Sequence, residues 1–205
     1  MLKNIFIVAL LFLTSTVRAQ STMSQIGGGC DGCEAINEGR PKTVNWRTAI
    51  ASSAEKGEPL EITGVIYQQG GKTPAKNVIL YIYHTDATGY YTPAAEATGF
   101  ARRHGHLRGW MKTDNQGRYK FTTVKPAIYP DRTLPAHIHP VIKEPEKNAY
   151  YIDEFTFEGD PILTPAYRAK LENRGGSGIV KLTKQNGVWI GVRDIVLGQN
   201  IPNYR

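Results

Sequence analysis

From Leu60 onward the chain is divided into short runs of β-branched and aromatic residues, each closed by a turn signal. The clearest runs are residues 60–67, 78–83 and 137–143, and glycine or asparagine pairs such as Gly70-Gly71 separate such runs. Runs this short, without long helical periods between them, are typical of two packed sheets. We therefore predict an all-β, single-domain β-sandwich.

Two predicted hairpins and one predicted helix complete the pattern. Residues 110–113 and 119–124 flank a turn at residues 114–117, and residues 179–183 and 188–192 flank Asn186-Gly187. Residues 195–197 extend the second hairpin. Residues 43–54 are predicted as a short helix, because Trp46 and Ile50 lie four apart on one face.

The first nineteen residues have the features of a secretory signal. Lys3 supplies a positive charge, residues 5–13 are apolar, and Val17 and Ala19 are small residues before a cleavage point that leaves Gln20. We expect residues 1–19 to be a signal peptide, residues 20–58 a lead with the short helix, and residues 59–205 the sandwich. The expected location is secreted or periplasmic, with no membrane attachment after cleavage.

The formal net charge is +7, but the basic residues are scattered along the chain. The densest pair is Arg102-Arg103, and no nucleic-acid-binding motif is present. We expect no nucleic-acid partner. Cys30 and Cys33 form a C-x-x-C pair that is open to three interpretations: a structural disulfide, free or intermolecular thiols, and a metal or redox site.

His137 and His139 lie one residue apart on a predicted strand, so their side chains point to the same face. Two imidazoles on one face supply half of a metal site. Tyr129 and one of the adjacent pair Tyr90-Tyr91 are within folding reach and offer phenolate oxygens, which are hard anionic ligands that favour ferric iron.

These residues belong to an ordered series of motifs that resembles the intradiol ring-cleavage dioxygenases, the catechol and protocatechuate dioxygenases that use non-haem ferric iron. The resemblance covers roughly residues 60–160, and its specificity comes from the joint order and spacing. The motifs are Gly89-x-Tyr91, Asp114-x-x-Gly117-x-Tyr119-x-Phe121, Lys125-Pro126-x-x-Tyr129-Pro130, Pro135-Ala136-His137-Ile138-His139 and Phe157-x-Gly159-Asp160-Pro161.

The resemblance implies a site and a reaction. Its four iron ligands fall on Tyr91, Tyr129, His137 and His139, and the cofactor it implies is Fe(III). Tyr129 matches the tyrosine that leaves the metal when substrate binds and takes a substrate proton. The implied substrates are a catechol-type small molecule and O₂, and assembly into a homo-oligomer is left open.

Two positions depart from the family pattern. An arginine commonly lies three residues before the first histidine, where this chain has Leu134, and Arg132 lies two residues earlier. A glutamine commonly lies fifteen residues after the second histidine, where this chain has Glu154. We therefore take Tyr129, Arg132 and Glu154 as the candidate catalytic residues.

Two other functions compete with ring cleavage. One is a non-enzymatic, transthyretin-like sandwich that binds a ligand or partner. The other is a zinc-dependent hydrolase that combines both H-x-H pairs, since His104 and His106 form a second pair that His84 could join. Gly105 places that second pair in a loop, and we expect it to line a pocket or the surface.

Overall fold

The structure is a computed structural model that describes residues 25–205. Within that range two mixed sheets pack as a sandwich, with two short α-helices and one turn of 3-10 helix at Cys33–Ile36. The first sheet consists of β1 (Arg47–Ala49), β2 (Pro59–Tyr67), β5 (Arg118–Val124), β10 (Thr183–Gln185), β11 (Val188–Val192) and β12 (Ile195–Val196). The second consists of β3 (Ile79–His84), β4 (Arg108–Lys112), β6 (His137–Lys143), β7 (Tyr150–Tyr151), β8 (Phe155–Phe157) and β9 (Ile179–Val180). The α-helices are α1 (Gly99–Arg103) and α2 (Pro165–Arg168).

The strand order confirms the predicted sandwich. The first sheet runs β1-β5-β2-β11-β10, with β12 also pairing to β2, and the second runs β4-β3-β6-β8-β9, with β7 pairing to β6. One apolar core fills the space between the sheets, where Ile62 and Phe121 from the first sheet and Leu80, Ile138 and Phe155 from the second are fully buried. Burial of such side chains contributes about 1.5–3 kcal/mol each, so this core is the main source of stability.

Residues 137–143 form one strand over the whole predicted range, β6. Ile138 and Ile142 enter the core between the sheets, as the period of two requires. The histidines therefore project from the opposite face. The hairpin at Asn186-Gly187 is also confirmed, because β10 and β11 pair antiparallel. Its first arm begins later than predicted, since residues 179–180 pair with β8 in the other sheet.

The predicted hairpin across residues 110–124 is wrong. Strand β4 pairs with β3 and β5 pairs with β2, so the connection at residues 114–117 crosses from one sheet to the other. The Asp114 carboxylate closes this connection by accepting hydrogen bonds from the Gln116 and Arg118 backbone N–H groups. Gly117 has φ 68°, and a side chain there would meet the Ile66 carbonyl oxygen at 2.5 Å. The turn signal was correct, but a turn signal does not specify which sheet receives the next strand.

The predicted helix at residues 43–54 is also wrong, because its centre forms β1, which pairs parallel with β5. Trp46 and Ile50 do not share a helical face. The Arg118 guanidinium lies over the Trp46 ring, while Ile50 packs against the core. The Thr48 hydroxyl donates to the Trp110 carbonyl oxygen of β4 and ties the two sheets together. These contacts come from distant residues and outweigh the local helical spacing.

The outer face of the second sheet is covered by the N-terminal lead. Cys33, Ala35 and Ile36 of the 3-10 helix are buried against Tyr81 and Trp110 in a second apolar cluster. The Trp110 indole N–H donates to the Ile36 carbonyl oxygen at 2.8 Å and fastens the lead to the sheet. The lead thus encloses the face from which the β6 histidines project.

Among the described residues, no helix combines the length and the apolar character that crossing a bilayer requires. The predicted signal peptide at residues 1–19 lies outside the described residues.

His106 is expected to make the stability depend on pH. Its Nε2 lies 2.8 Å from a Glu55 carboxylate oxygen, and its Nδ1 lies 2.6 Å from the Thr92 carbonyl oxygen. Burial lowers the pKa of His106, but these two acceptors outweigh burial and the net shift is upward. Because folding raises the pKa of His106, its protonation stabilises the folded state. This stabilisation is complete at pH values below the pKa of His106 in the unfolded chain, and it is lost as the pH rises through its pKa in the folded protein.

Urea unfolding of the wild type and of His106→Gln at about pH 5.5 and about pH 8.5 measures this effect. We expect the wild type to exceed the variant in free energy of unfolding at the lower pH, and the difference to shrink at the higher pH. An equal difference at both pH values would contradict the assignment.

Candidate metal centre

Four polar side chains converge on the outer face of the second sheet, under the N-terminal lead. His137 and His139 project from β6, while Tyr91 lies in the connection between β3 and α1 and Tyr129 in the connection between β5 and β6. These are the four residues that the resemblance assigned to a metal. The neighbouring Tyr90 is 57% exposed and lies outside the group.

The tyrosine-bearing connections are brought together by a close backbone approach at Gly89. This residue has φ 87°, and a Cβ there would lie 2.4 Å from the Ile128 carbonyl oxygen, next to Tyr129. Only glycine satisfies both conditions at low cost. The Asp86 carboxylate shapes the same connection, since it accepts hydrogen bonds from Thr88, Tyr90 and Thr92.

The four donor atoms lie close to one another. Tyr91 Oη is 2.5 Å from Tyr129 Oη and 2.9 Å from His139 Nε2. Tyr129 Oη is 3.1 Å from His137 Nε2 and 3.4 Å from His139 Nε2, and the two Nε2 atoms are 3.0 Å apart. Ligands bound at about 2.0–2.2 Å from one ion are about 2.8–3.5 Å from each other, so four of these five separations suit a shared cation. The two phenol oxygens are closer, because a hydrogen bond joins them.

The histidine rings are oriented by the atoms behind them. His137 Nδ1 donates to the Pro135 carbonyl oxygen at 2.7 Å, which leaves the Nε2 lone pair directed at the cluster. The His139 ring stacks on Tyr83 with centroids 4.6 Å apart. Tyr83 in turn stacks on His104 at 3.6 Å, so three rings form a column that ends at the cluster.

The start of β6 is held by Asp160, whose carboxylate accepts from the Ala136 and Ile162 backbone N–H groups. Sequence reasoning assigned no role to Asp160 or Asp86. Asp160 lies in the last of the five motifs, so its position there was an available signal. Asp86 follows the strand that carries Tyr83 and had no comparable signal.

Burial sets the protonation of the donors in the metal-free protein. It lowers the pKa of His139 well below its usual range, and the neighbouring His137 adds to this shift. His139 is therefore neutral, as a metal ligand must be. Burial also raises the pKa of Tyr91, with a further contribution from its contact with Tyr129. Without a cation both phenols keep their protons, and metal binding must release them.

The donor set fits ferric iron. Each of the four donor atoms lies within 3.4 Å of at least two of the others, and within residues 25–205 no ammonium or guanidinium nitrogen hydrogen-bonds to them. Two phenolates would offset most of the charge of a trivalent ion, which lowers the cost of holding it in a half-buried site.

The other candidate catalytic residues lie around the cluster. Glu154 Oε1 is 3.7 Å from His139 Nδ1, too long for a hydrogen bond but close enough for an ion pair. Arg132 lies in the connection between Tyr129 and β6 with an exposed side chain and φ 55°. Leu134, in the same connection, is 38% exposed.

The second H-x-H pair does not form a site with His84. His84 Nε2 lies 2.8 Å from the Thr123 hydroxyl, His104 Nδ1 lies 2.9 Å from the Tyr81 hydroxyl, and His106 bonds Glu55. Each imidazole has a different partner on a different element. This arrangement removes the basis of the zinc hydrolase alternative.

A family model described as Dioxygenase matches residues 41–181. The chain belongs to the intradiol ring-cleavage dioxygenase family, whose members typically use Fe(III) and act on aromatic substrates with O₂. It is 28% identical over 123 residues to the protocatechuate 3,4-dioxygenase beta chain of Burkholderia cepacia, covering 57% of this chain and 52% of that protein. It is 26% identical over 162 residues to catechol 1,2-dioxygenase 1 of Acinetobacter lwoffii, covering 65% and 51%. The chain thus spans about half the length of each relative.

Solved structures share the fold. The dioxygenase domain of a dioxygenase carbohydrate-binding protein fusion from Streptomyces sp. SirexAA-E has a TM-score of 0.54 at 24% identity, covering 78% of this chain and 94% of that one. Wild-type catechol 1,2-dioxygenase of Acinetobacter radioresistens has a TM-score of 0.59 at 17% identity, covering 78% and 58%.

Proposed function

We propose that the chain is an exported Fe(III)-dependent dioxygenase that cleaves catechol-type rings between the two hydroxylated carbons. The carbon–carbon bond between them breaks, and each carbon gains one oxygen atom from O₂. The observation that carries this proposal is the convergence of two phenol oxygens and two imidazole nitrogens, five of whose pairwise separations are 2.5–3.4 Å. The Cys30–Cys33 disulfide supports export, since such bonds persist in oxidising compartments.

Tyr91, Tyr129, His137 and His139 would hold the metal. Ferric iron would supply a Lewis acid that draws electron density out of a bound catechol ring. The chain keeps the ligand side chains in place through the Pro135 carbonyl behind His137 and the Tyr83 ring beside His139. Positioning of this kind lowers the barrier, because the reacting groups need not reorganise.

We assign the proton-transfer role to Tyr129. A catechol must lose both hydroxyl protons to bind as a dianion. Tyr129 Oη, as a phenolate, would accept one of them, and a hydroxide ion from solvent would accept the other. The Tyr129 oxygen is in contact with all three other donor atoms, so a proton taken there stays beside the reacting groups. The Glu154 carboxylate lies beside the neutral His139 ring, with Oε1 3.7 Å from Nδ1, and adds a negative charge at this side of the site. Arg132 is our candidate for the cation that this family commonly places three residues before the first histidine.

Metal analysis and colour test the proposal. Protein loaded with ferric iron is expected to bind one equivalent, to show visible phenolate-to-iron absorption, and to consume O₂ with catechol. A protein that stays colourless and binds no iron would favour a non-enzymatic, ligand-binding sandwich instead.

The site is expected to prefer uncharged catechols over protocatechuate. Leu134 replaces a cation and Glu154 adds a carboxylate next to His139, so both changes make the pocket less favourable for a substrate carboxylate. Oxygen uptake with catechol, an alkyl catechol and protocatechuate at matched concentrations measures the order of substrate preference.

Leu134→Arg is expected to raise kcat by about tenfold without changing iron content, since it restores a charge-stabilising group.

Leu134→Met is the matched control, because it keeps an apolar side chain of similar volume. A wild-type preference for protocatechuate would contradict the charge argument and would leave the metal assignment standing.

A further inference from the structure

A cleft of about 250 Å³ opens beside His139, and the Cys30–Cys33 loop forms one of its walls. Cys30, Asp31 and Gly32 line that side. The rest of the cleft is lined by seven residues: Tyr83, His139, Pro140, Val141, Tyr151, Ile152 and Glu154. A volume this small is at the lower end for ligand pockets and suits a single aromatic ring.

The loop is held against the sheet by several independent contacts. The disulfide closes it, and Cys33 is buried in the outer apolar cluster. Gly32 has φ 88°, and a Cβ there would approach His104 Nε2 to 3.3 Å, so the backbone lies directly on the ring column. Glu38, just beyond the loop, accepts from the Phe100 and Ala101 backbone N–H groups at the start of α1.

The charge at the rim is set by an ion pair between the loop and α1. The Asp31 carboxylate binds the Arg103 guanidinium, and both side chains are largely exposed. Because Asp31 lines the cleft, its ion pair places the Arg103 guanidinium next to the rim. Arg103 is thus a cation beside the cleft whose charge Asp31 offsets.

We propose that the Cys30–Cys33 loop is the specificity-determining wall of the substrate cleft. The disulfide fixes its shape, and Asp31 neutralises Arg103, so that the cleft selects single-ring catechols without a carboxylate. This inference rests on the proposed function, because it assumes that the ligand of the cleft is a catechol.

Anaerobic calorimetric titration of the iron-loaded protein with catechol and with protocatechuate tests whether this loop determines selectivity, and it does not require turnover. Asp31→Asn frees Arg103 and is expected to shift the ratio of the two dissociation constants toward protocatechuate by about three- to tenfold. Glu58→Gln is the matched control, since it breaks an exposed ion pair with Lys184 in the other sheet. The proposal would be overturned if Asp31→Asn and the wild type had the same ratio of dissociation constants. It would also be overturned if Asp31→Asn and Glu58→Gln shifted that ratio equally.

The double variant Cys30→Ser/Cys33→Ser tests the disulfide. Because Ala35, Ile36 and the Trp110 hydrogen bond keep the lead attached, we expect unchanged circular dichroism and iron content. The KM for catechol should rise about tenfold, with a smaller change in kcat per iron. An unchanged KM would overturn the role of the disulfide.

The two hypotheses fail in different ways. Catechol binding without O₂ consumption would reject the proposed ring cleavage, whereas the binding ratio of Asp31→Asn would still decide the role of the wall.

Discussion

Replacing His139 with alanine is expected to lower iron affinity by about 100-fold or more and to abolish the visible absorption, while the fold survives. His139 contributes one of four donor atoms and contacts the other three at 2.9, 3.0 and 3.4 Å. Its side chain lies on the outer face of β6, whereas Ile138 and Ile142 of the same strand hold the core. Loss of the imidazole therefore removes a ligand without opening a cavity between the sheets.

Metal analysis, visible absorption and far-ultraviolet circular dichroism measure these three properties. Tyr91→Phe is expected to give the same loss of iron and colour, since it removes a phenolate and keeps the ring. The matched controls are His106→Ala and Tyr90→Phe, which change the same residue types outside the cluster. Full iron occupancy with unchanged colour in either ligand variant would contradict the ligand assignment.

The sequence predicted those parts of the fold that local patterns determine. The period of two in residues 137–143 was enough to place both histidines on one face, and the structure shows that Ile138, on the other face, enters the core. The Asn186-Gly187 turn likewise specified a hairpin, because both residues adopt positive φ as such a turn requires.

The errors arose where distant contacts decide the structure. Strand β1 forms because β5, about seventy residues later, offers a parallel edge, and no local pattern near Trp46 encodes that edge. The turn at residues 114–117 was recognised, but the choice between hairpin and crossover depends on β2 and β3 together.

The candidate site likewise has some residues that local patterns predicted and other contacts that only the fold reveals. His137 and His139 followed from strand periodicity, and the two tyrosines followed from motif order. The structure adds the surroundings that no short motif contains: the Tyr83 and His104 rings stacked behind His139, and the Cys30–Cys33 loop over the cleft. These contacts join segments about twenty to one hundred and ten residues apart, so only the folded chain reveals them.

Tyr129→Phe is expected to reduce the rate of catechol cleavage per bound iron by about 10²–10⁴-fold, the usual range for losing a proton-transfer group. Tyr129 Oη is in contact with all three other donor atoms, and its connection between β5 and β6 is more exposed than the β6 histidines. Iron content should fall less than in His139→Ala, because Tyr129 lies in the more exposed connection and the phenyl ring still fills its place. Stopped-flow oxygen uptake, normalised to iron measured in the same sample, separates lost metal from lost proton transfer. Tyr90→Phe controls for removing a hydroxyl from the same region, and a Tyr129→Phe rate per iron equal to that control would remove Tyr129 from the proposed reaction.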